Sequence, residues 1–580
     1  MSSHEAHPSD NRTRLIERAA RLIVDAFDDY NARFSDITRR AARHFDRCDW
    51  TAQQQSANQR IGLYDECIAE TIGRLEDCLA ERLLARALWL DIHRRYAHAI
   101  EARIDAELYK TFFNTITRRL FKTRGVSRGM EFIALDIEPT EHITHPIDRY
   151  IYSCREQPAE AMQRMLADAH VRYRSETLET DAKAIAERLK MDLHNAKGGG
   201  LLSVELLKIV FYRDRRAYLI GRVFGHERWL PCVIALVNDQ DGVRADAVIT
   251  ERLQISVLFG FTYSYFHADL ATIGDAVVFL RTLLPNKPVD ELYTVLGRIK
   301  QGKTERYRHF VKHLISAQRE QMIEAEGQRG MVMLVFTLPS YPLVFKLVRD
   351  HFAPGKTIGR EHVLKQYRLV FNHDRVGRLI DAQEYRHLQF DRRLFDDDLI
   401  ALLKRECARI VKVEKNRVTV AHCFIQRRVR PLDLFIQEVK SAAAERIILD
   451  YGQAIRDMAR SNLFPGDLFL KNFGVTASQR VIFYDFDEVS RVTDCNFRRI
   501  PPARSEHELM SEERWFNVEP GDAFPEQFEQ FMDLSPEHRA FFAQHHGELF
   551  DPSWWQTLHA RLIEHPAGDV SPYSDSVRLR

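Results

Sequence analysis

A chain of 580 residues is too long for one hydrophobic core, so it divides into about two to four domains. Its 84 basic and 83 acidic side chains leave a formal net charge of +1, which excludes a globally basic protein that holds nucleic acid through its overall field. A hydrophobic content of 45% with 29% charged residues excludes a disordered or fibrous chain.

The first residues and the cysteines indicate a cytoplasmic protein. Residues 1–8 lack the positive and apolar parts of a secretory signal, and no apolar run reaches membrane-spanning length. The eight cysteines are scattered without a CxxC pair, so we expect reduced thiols and no zinc site. We therefore expect neither a membrane nor a nucleic acid as partner.

The front half is predicted to be helical, with a small sheet inserted. Residues 13–120 carry apolar side chains at helical spacing, which predicts an all-helical bundle. Residues 203–250 change to short β-rich runs separated by turn signals, which predicts the sheet. Helical periodicity returns over 273–324.

The back half is predicted to begin with a hairpin of two buried strands, Met331–Leu338 and Leu343–Val348. The elements predicted beyond it are a helix over 360–390, a strand over 417–427, a long amphipathic helix over 442–461 and a short buried strand over 481–484. We expect a mainly helical domain over 1–310 and a second domain over 311–580.

Phosphate chemistry is indicated first by a loop and a lysine around this hairpin. The loop consists of Ala325, Glu326, Gly327, Gln328, Arg329, Gly330 and Met331. Its glycines allow backbone N–H groups to come close to phosphate oxygens. Lys346 lies in an apolar run on the second strand, where a buried ammonium group needs an anion. The alternative is an edge strand with this lysine in water.

The polar residues between 464 and 487 predict the rest of a phosphotransfer site. Protein kinases place a catalytic Asp, then an Asn five residues later, then a metal-binding Asp after a strand. Asp467, Asn472 and Asp485 have this order and spacing. Asp467 is therefore the candidate beside the attacking hydroxyl, and the other two are candidate magnesium ligands. The alternative is an acidic surface turn.

Three other motifs imitate such sites and are discounted. Gly297–Thr304 has P-loop spacing, but its surroundings are predicted to be helical on both sides. His267–Leu270 imitates a kinase catalytic loop, but Gly274 stands where a metal-binding Asn is required. His373–Arg375 lies in a predicted helix, with Leu379 at the corresponding place.

Several longer strings resemble the bacterial isocitrate dehydrogenase kinase/phosphatase family. They are GMVMLVFTLP from Gly330, HDRVGR from His373, FPGD from Phe464, KNFGV from Lys471, FGFTYSYFHAD from Phe259 and NFRRIPP from Asn496. The resemblance implies an α+β protein, in which an all-helical N-terminal regulatory domain with a small β insertion is followed by a bilobal protein-kinase-like domain.

The resemblance also implies the activity, cofactors and partner. It implies an enzyme that phosphorylates a serine of NADP-dependent isocitrate dehydrogenase and removes that phosphate, which controls flux between the tricarboxylic acid cycle and the glyoxylate bypass. The implied cofactors are ATP or ADP with Mg²⁺ or Mn²⁺, and the implied allosteric effector is AMP. The oligomeric state is open, with a homodimer as one alternative.

By matching motif, the resemblance assigns residue roles. Loop 325–331 and Lys346 would bind ATP, while Asp467, Asn472 and Asp485 would hold the transfer machinery. Asp381 corresponds to a family position assigned to catalysis. The acidic partner of Lys346 stays open between Glu361 and Glu384.

The chain departs from ordinary protein kinases at three places. No full GxGxxG loop is present, and Pro465 and Gly466 stand where His-Arg would precede the catalytic Asp. Asp487 replaces the Gly of the metal-binding triplet. We predict a catalytic role for Asp487, because a second acid near the metal ions can orient water. Gly466 has no side chain to pair with a phosphorylated activation loop, so we expect control from nucleotide binding near the helical domain.

Two other functions stay open from the residues. A small-molecule kinase of the aminoglycoside or choline type also tolerates a changed catalytic loop, although a long helical extension favours a protein substrate. A catalytically inactive kinase-fold scaffold is the other, and the joint presence of the lysine, both aspartates and the asparagine argues against it.

Overall fold

The computed structural model describes most of the chain. The described residues are 8–123, 125, 127, 129–132, 147–173, 175–239, 241–260, 265–317, 320–352, 359–373, 377–466, 468–502, 516–565 and 571–579. None of their helices combines the length and the apolar character that a membrane span needs.

Four helices form the front of the molecule. They are α1 (Pro8–Asp46), α2 (Trp50–Leu79), α3 (Arg86–Ile100) and α4 (Ala106–Phe121). Their apolar stripes meet in a core that includes Phe27, Tyr96 and Phe112, and burying each such ring contributes about 1.5–3 kcal/mol. Asp49 caps the start of α2, where its carboxylate accepts the N–H of Ala52. The predicted helical bundle is confirmed.

A six-stranded antiparallel sheet follows the bundle. Its strands are β1 (Arg149–Ser153), β2 (Leu201–Leu207), β3 (Phe211–Arg213), β4 (Arg216–Gly225), β5 (Trp229–Asp239) and β6 (Gly242–Ile249). The order is β1–β2–β4–β5–β6, with β3 paired to β4. Helices α5 (Pro158–Asp168) and α6 (Ser175–Asn195) share a core with it. The sheet predicted over 203–250 is confirmed, and β1 adds an edge that the pattern did not reveal.

Four helices lead to the second half of the chain. They are α7 (Arg252–Leu258), α8 (Ile273–Leu283), α9 (Val289–Val295) and α10 (Ile299–Ser316). The helix predicted through Glu324 is too long, because Ile323–Glu324 forms strand β7. Backbone pairing of β7 with the next strand decides its conformation.

A second six-stranded sheet opens the back half. Its strands are β7, β8 (Met333–Thr337), β9 (Leu343–Val348), β10 (Ala382–Asp391), β11 (Val411–Val413) and β12 (Arg417–Arg427). The order is β10–β12–β9–β8–β7, with β11 paired to β12. Helix α11 (Arg360–His373) lies in sequence between β9 and β10, and α12 (Asp397–Glu406) follows β10. The predicted hairpin is confirmed as β8 and β9, and the predicted strand 417–427 is confirmed as β12.

The helix predicted over 360–390 is wrong in its second half. Helix α11 ends at His373, and Ala382–Asp391 is strand β10. Antiparallel pairing with β12, from Ala382 opposite Gln426 to Asp391 opposite Arg417, satisfies the backbone groups of this segment. Apolar periodicity along one segment cannot report a partner strand further along the chain.

The rest of the back half packs beside this sheet. Its elements are α13 (Leu432–Glu438), α14 (Ser441–Arg460), β13 (Arg430–Pro431), β14 (Phe473–Val475), β15 (Val481–Phe483), β16 (Asn496–Phe497), β17 (Asp522–Ala523) and the helices Phe528–Phe531, Pro536–His546 and Pro552–Glu564. Strands β13, β14 and β15 form one small sheet. The buried guanidinium of Arg378 binds Asp450 and Asp457 of α14, each at 2.8 Å, and so anchors the segment before β10. The helix predicted over 442–461 is confirmed as α14.

Residues 571–579 return to the first sheet. Arg578 forms a β-bridge with Ala247 of β6, and the N–H of Leu579 donates to the carbonyl of Asp246 at 2.9 Å. The hydroxyl of Tyr573 donates to the Asp246 carboxylate at 2.5 Å. This segment therefore covers the β6 edge of a sheet that belongs to the front half.

Candidate active site

A cavity of about 600 Å³ lies between the second sheet and the α13–β15 region. Its walls include all seven residues of loop 325–331. Lys346, Asn472, Asp485 and Asp487 line the same cavity. Ligand pockets have volumes of about 300–1,000 Å³, so this cavity has room for a nucleotide.

Strand pairing and one ion pair position the loop. The N–H of Ala325 donates to the carbonyl of Val335 on β8 at 3.0 Å, which extends the β7–β8 ladder into the loop. Gly327 has φ of +115°, a conformation that favours glycine. Glu326 pairs with Arg430 on β13 at 2.7 Å. Because an exposed ion pair contributes only about 0–1 kcal/mol, this contact orients the loop without locking it.

Lys346 lies in the interior of the second sheet. Strand β9 runs between β8 and β12, and Lys346 stands opposite Val335 and Phe424. Only 5% of the residue is exposed, so the edge-strand alternative is wrong. Its Nζ donates to the carbonyl oxygen of Tyr484 at 2.7 Å. Burial lowers the pKa of Lys346, while the charges of Asp485 and Asp487 oppose that shift.

Neither candidate glutamate pairs with Lys346. Glu384 on β10 binds His422 at 3.1 Å and Arg386 at 2.6 Å. Glu361 is exposed in the first turn of α11. Among the described residues, the charges that act on Lys346 are those of the two aspartates after β15.

A single helical turn and a β-hairpin position the metal-ligand candidates. Asn472 ends the turn Leu470–Asn472, and its carbonyl accepts the N–H of Tyr484 at 3.0 Å. The hairpin of β14 and β15 then delivers Asp485 and Asp487 to the cavity, with Phe486 fully buried between them. Amide and carboxylate oxygens are the ligands that Mg²⁺ and Mn²⁺ take, so the side chains at this wall fit such an ion.

Asp467 lies outside the described residues. The segment just before it is hydrogen-bonded to the segment that follows Asp485–Asp487. The N–H of Phe464 donates to the carbonyl of Ser490 at 2.8 Å, and the N–H of Ser490 donates back at 2.9 Å. Gly466 has φ of +77°, and a Cβ on it would lie 2.7 Å from the carbonyl oxygen of Glu488. Glycine is therefore required here by the close approach of two backbones.

Asp381 faces away from the other predicted site residues. It is 7% exposed, and its Oδ2 accepts the Nη2 of Arg306 on α10 at 2.7 Å. Of the described residues at this point of the chain, Ile380 lines the cavity and Asp381 does not. The structure thus places Asp381 at the junction with the front half.

The P-loop imitation is excluded by its surroundings. Gly297 follows α9, and Gly302–Thr304 lies inside α10, so no strand precedes the glycines. Lys303 is half-buried, and its Nζ donates to the carbonyl of Glu384 at 2.9 Å. This lysine joins the two halves of the molecule and is not a free surface lysine.

Of the two remaining imitations, the one at His267 lies away from the cavity wall. His267 is 2% exposed, and its backbone pairs with Tyr212 of the first sheet. His373 ends α11, and Asp374 and Arg375 lie outside the described residues.

Sequence reasoning missed part of the wall. The residues Gln426–Pro431, at the end of β12 and just beyond it, line the cavity, and so does Lys471. Arg427 among them pairs with Glu291 of α9, so the wall contacts the front half directly. The one sequence signal for these additional wall residues is that Lys471 directly precedes the predicted metal ligand Asn472.

Comparison with known families places both halves of the chain. Residues 20–318 match the regulatory domain of isocitrate dehydrogenase kinase/phosphatase (AceK), and residues 320–575 match the kinase domain of the same proteins. The chain is thus a two-domain protein, with a regulatory domain followed by a kinase domain.

Curated relatives cover the chain from end to end. "Isocitrate dehydrogenase kinase/phosphatase" of Xanthomonas euvesicatoria pv. vesicatoria (strain 85-10) is 50% identical over 580 residues, 100% of both chains. The protein of that name from Anaeromyxobacter sp. (strain Fw109-5) is 39% identical over 576 residues, 99% of both chains. The chain belongs to the isocitrate dehydrogenase kinase/phosphatase family.

Proposed function

We propose that the protein is an ATP-dependent protein serine kinase and phosphoprotein phosphatase that acts on NADP-dependent isocitrate dehydrogenase. The observation that carries this is the meeting of Lys346, Asn472, Asp485 and Asp487 in one cavity beneath a glycine-bearing loop. Relatives identical at half of all positions carry the name of that activity. Reversible phosphorylation would set the flux between the tricarboxylic acid cycle and the glyoxylate bypass.

We infer a bilobal protein-kinase-like arrangement for the second domain. One lobe would be the sheet β10–β12–β9–β8–β7 with α11, and the other would contain α14 and the β14–β15 hairpin. Protein kinases carry the phosphate-binding lysine on the third strand, and Lys346 lies on β9, the third strand counted from β7. The cavity between these two groups of elements supports this arrangement.

In the kinase direction, each residue has a role that its position supports. Lys346 and the backbone N–H groups of loop 325–331 would bind the ATP phosphates. Asn472 and Asp485 would hold Mg²⁺ or Mn²⁺, and such an ion neutralises charge on the transferred phosphoryl group when it is bound. Asp467 would accept the proton of the serine hydroxyl, an assignment that rests on its spacing from Asn472.

In the phosphatase direction, Asp487 would orient and deprotonate a water molecule. The water oxygen would form a bond to phosphorus, while the bond from phosphorus to the serine oxygen breaks. The serine oxygen would take a proton from Asp467, the residue that accepts this proton in the kinase direction. Asp487 is 8% exposed and lines the cavity, so its carboxylate is largely shielded from bulk water at the wall where the phosphates would bind. General-base assistance of this kind contributes about 10²–10⁴-fold to a rate.

We propose that AMP acts on the regulatory domain at a pocket of about 40 Å³, which would have to widen to admit a nucleotide. The pocket is lined by Tyr30, Arg60, Tyr64, Tyr265, Arg298 and Lys300. Arg60 is 5% exposed, and its Nε has no hydrogen-bond partner among the described residues. Burial, with the neighbouring charge of Arg298, lowers the pKa of Arg60 to about 9. A buried cation is costly without an anion, and a phosphate monoester would supply one beside aromatic rings.

Labelled phosphate tests the main proposal. Purified protein is incubated with isocitrate dehydrogenase and γ-labelled ATP, and the label is followed onto the dehydrogenase and then off it. We expect both transfers, with the label on a serine. Transfer to a small-molecule acceptor alone, or no transfer to any acceptor, would contradict the proposal.

AMP and loop phosphorylation are separated in a second experiment. The protein is expressed without other kinases, and mass spectrometry confirms that residues 488–520 are unmodified. We expect kinase activity that responds to AMP, and loss of the response in Arg60→Met. Activity that depends on phosphate in 488–520 and ignores AMP would refute this control mechanism.

We place the protein in the cytoplasm, where its cysteines would stay reduced. All eight are free thiols in the structure. Light scattering at several protein concentrations tests the homodimer alternative.

A further inference from the structure

Arg306 joins the two domains through a buried charge cluster. It lies on α10 and is 3% exposed. Its Nε donates to Asp290 on α9 at 2.7 Å, and its Nη2 donates to Asp381 of the second domain at 2.7 Å. Each carboxylate would be costly to bury without this guanidinium. We call Asp290, Arg306 and Asp381 the Arg306 cluster.

Asp381 directs its carboxylate into this cluster and away from the phosphate cavity. Its Oδ2 also accepts the Nε2 of Gln383 at 3.1 Å. Its Oδ1 is buried and has no hydrogen-bond partner among the described residues. A group that moves a proton to or from the reacting atoms must lie within about 3.2 Å of them or one water away. The geometry therefore favours an indirect role for Asp381.

The backbone beside Asp381 leads to the metal-ligand candidates. The N–H of Ile380 donates to the carbonyl of Phe483 at 2.9 Å, and the N–H of Phe483 donates to the carbonyl of Arg378 at 2.7 Å. Phe483 ends β15 and comes just before Tyr484, whose carbonyl binds Lys346. A shift of Asp381 therefore reaches Asp485 and Lys346 through hydrogen-bonded backbone.

The other end of the cluster reaches the proposed AMP pocket. Helix α10 carries Arg306, and its first residues Ile299–Gln301 line that pocket. Tyr265 lines the pocket as well, and burial together with the nearby charge of Asp381 raises the pKa of this tyrosine. The Arg306 cluster thus lies between the catalytic cavity and the proposed AMP pocket, where the buried Arg60 would bind an anion.

A second ion-pair contact joins the two domains beside the Arg306 cluster. Arg427, which lines the catalytic cavity, pairs with Glu291 and lies 3.7 Å from Asp290. Glu291 in turn pairs with Lys287 at 3.1 Å. Because Asp290 contacts both Arg306 and Arg427, α9 and α10 contact the second domain at two points. One is Asp381 beside the cavity, and the other is Arg427 in the cavity wall.

We propose that Asp381 is a positioning residue that, through Arg306, makes the geometry of Lys346 and Asp485 depend on occupancy of the AMP pocket. This inference rests on the proposed function and describes how AMP would regulate it. Helix α10 lines the AMP pocket and binds Asp381, the residue after cavity-lining Ile380, and coupling requires that each ligand favour one arrangement of this helix. Asp381 then influences both transfer directions without touching phosphate.

The test compares Asp381→Asn with the wild type. Asparagine keeps the size and an acceptor for Arg306 but removes the charge. Label transfer onto and off isocitrate dehydrogenase is measured with and without AMP, and a fluorescent ATP analogue reports nucleotide affinity. We expect the effect of AMP on the ratio of the two rates to fall by about fivefold or more, the lower end of usual coupling factors. Nucleotide affinity should stay within a few-fold, and Asp381→Glu should regain part of the AMP effect.

Glu205→Gln is the matched control. Glu205 is a buried carboxylate paired with Arg149 at 2.7 Å, but both residues belong to the first sheet and lie off the proposed route. The control should lose stability and keep the AMP effect. If Asp381→Asn does not fold, Arg306→Lys replaces it, because lysine keeps the charge but cannot reach both carboxylates in the same way.

Two outcomes would overturn the inference. One is an Asp381→Asn protein that keeps the full AMP effect. The other is a protein that loses label transfer by orders of magnitude while its residual rates still respond to AMP, as expected of a group that touches phosphate. Failure of the proposed function is distinct, since the wild type itself would then transfer no label to isocitrate dehydrogenase.

Discussion

The Nζ of Lys346 donates a 2.7 Å hydrogen bond to the carbonyl oxygen of Tyr484, the residue immediately before Asp485. This contact links β9 of the second sheet to the metal-ligand segment across the catalytic cavity. Phosphate oxygens would compete with that carbonyl for the same ammonium group. At the proposed site, nucleotide binding and the placement of Asp485 would therefore be connected through the side chain of Lys346.

We expect Lys346→Met and Asp485→Ala each to lower both kinase and phosphatase rates by about 100-fold or more, because one cavity would serve both directions. Thermal unfolding should show that both variants stay folded. Lys412→Met is the control, since Lys412 on β11 has 65% of its side chain exposed. A variant with full phosphatase activity would require a second phosphatase site.

Asp487→Asn should separate the two activities. Without a carboxylate to deprotonate water, we expect the phosphatase rate to fall by about 10²-fold or more, while the kinase rate falls much less. The two rates are measured on the same preparation, with phosphorylated and unphosphorylated isocitrate dehydrogenase as substrates. Equal losses in both directions would assign Asp487 to the metal ions and not to water.

Lys303 should contribute a pH dependence to stability. Burial is the main cause that lowers the pKa of Lys303 from 10.5 to about 8, with help from Lys300. Between pH 8 and 10.5 the unfolded chain keeps the proton that the folded chain has lost, so the contribution of Lys303 to the free energy of unfolding rises with pH.

Urea unfolding of the wild type and Lys303→Met at pH 7.5 and 9.5 tests this. The wild type should gain stability relative to the variant at the higher pH. ATP affinity should stay within a few-fold in the variant, because Nζ binds a backbone carbonyl and Lys303 does not line the catalytic cavity. A loss of ATP affinity as large as that of Lys346→Met would restore the P-loop interpretation.

Gly466→Ala should impair both folding and activity. The residue has φ of +77°, and an added Cβ would lie 2.7 Å from the backbone oxygen of Glu488, so we expect strain of about 1–3 kcal/mol. Gly73→Ala in α2 is the control, because no atom lies within 4 Å of its added Cβ, and alanine in a helix should stabilise by about 0.5–1 kcal/mol. Denaturant unfolding and kinase assays on both variants measure the difference. Wild-type stability in Gly466→Ala would show that the two backbones separate easily.

Local pattern predicted the elements whose side chains carry their own signal. The buried strand with Lys346, strand β12 and helix α14 were predicted with nearly correct bounds, because an apolar run or an amphipathic stripe reports burial directly. The residues around the catalytic cavity followed from spacing, since one turn and one hairpin bring Asn472 and Asp485 together.

The features that could not be predicted depend on pairing or hydrogen-bond partners that are distant in sequence. Strand β10 was predicted as helix, because only pairing with β12 makes it a strand. Lys303 binds the backbone carbonyl of Glu384, which is 81 residues further along the chain, and a helical pattern around the lysine does not indicate that contact. The orientation of Asp381 depends on Arg306 from the other domain, which no spacing rule connects to it.

The return of residues 571–579 to β6 affects the order of events during synthesis. The front sheet emerges from the ribosome early, yet the segment that covers its β6 edge and binds Asp246 is translated only at the end of the kinase domain. Domains usually fold as they emerge, N-terminal first, and an uncovered strand edge can recruit another chain. A nascent chain therefore has an uncovered β6 edge, which can pair with another chain, until late in translation. A regulatory domain expressed alone would never gain the segment that covers this edge.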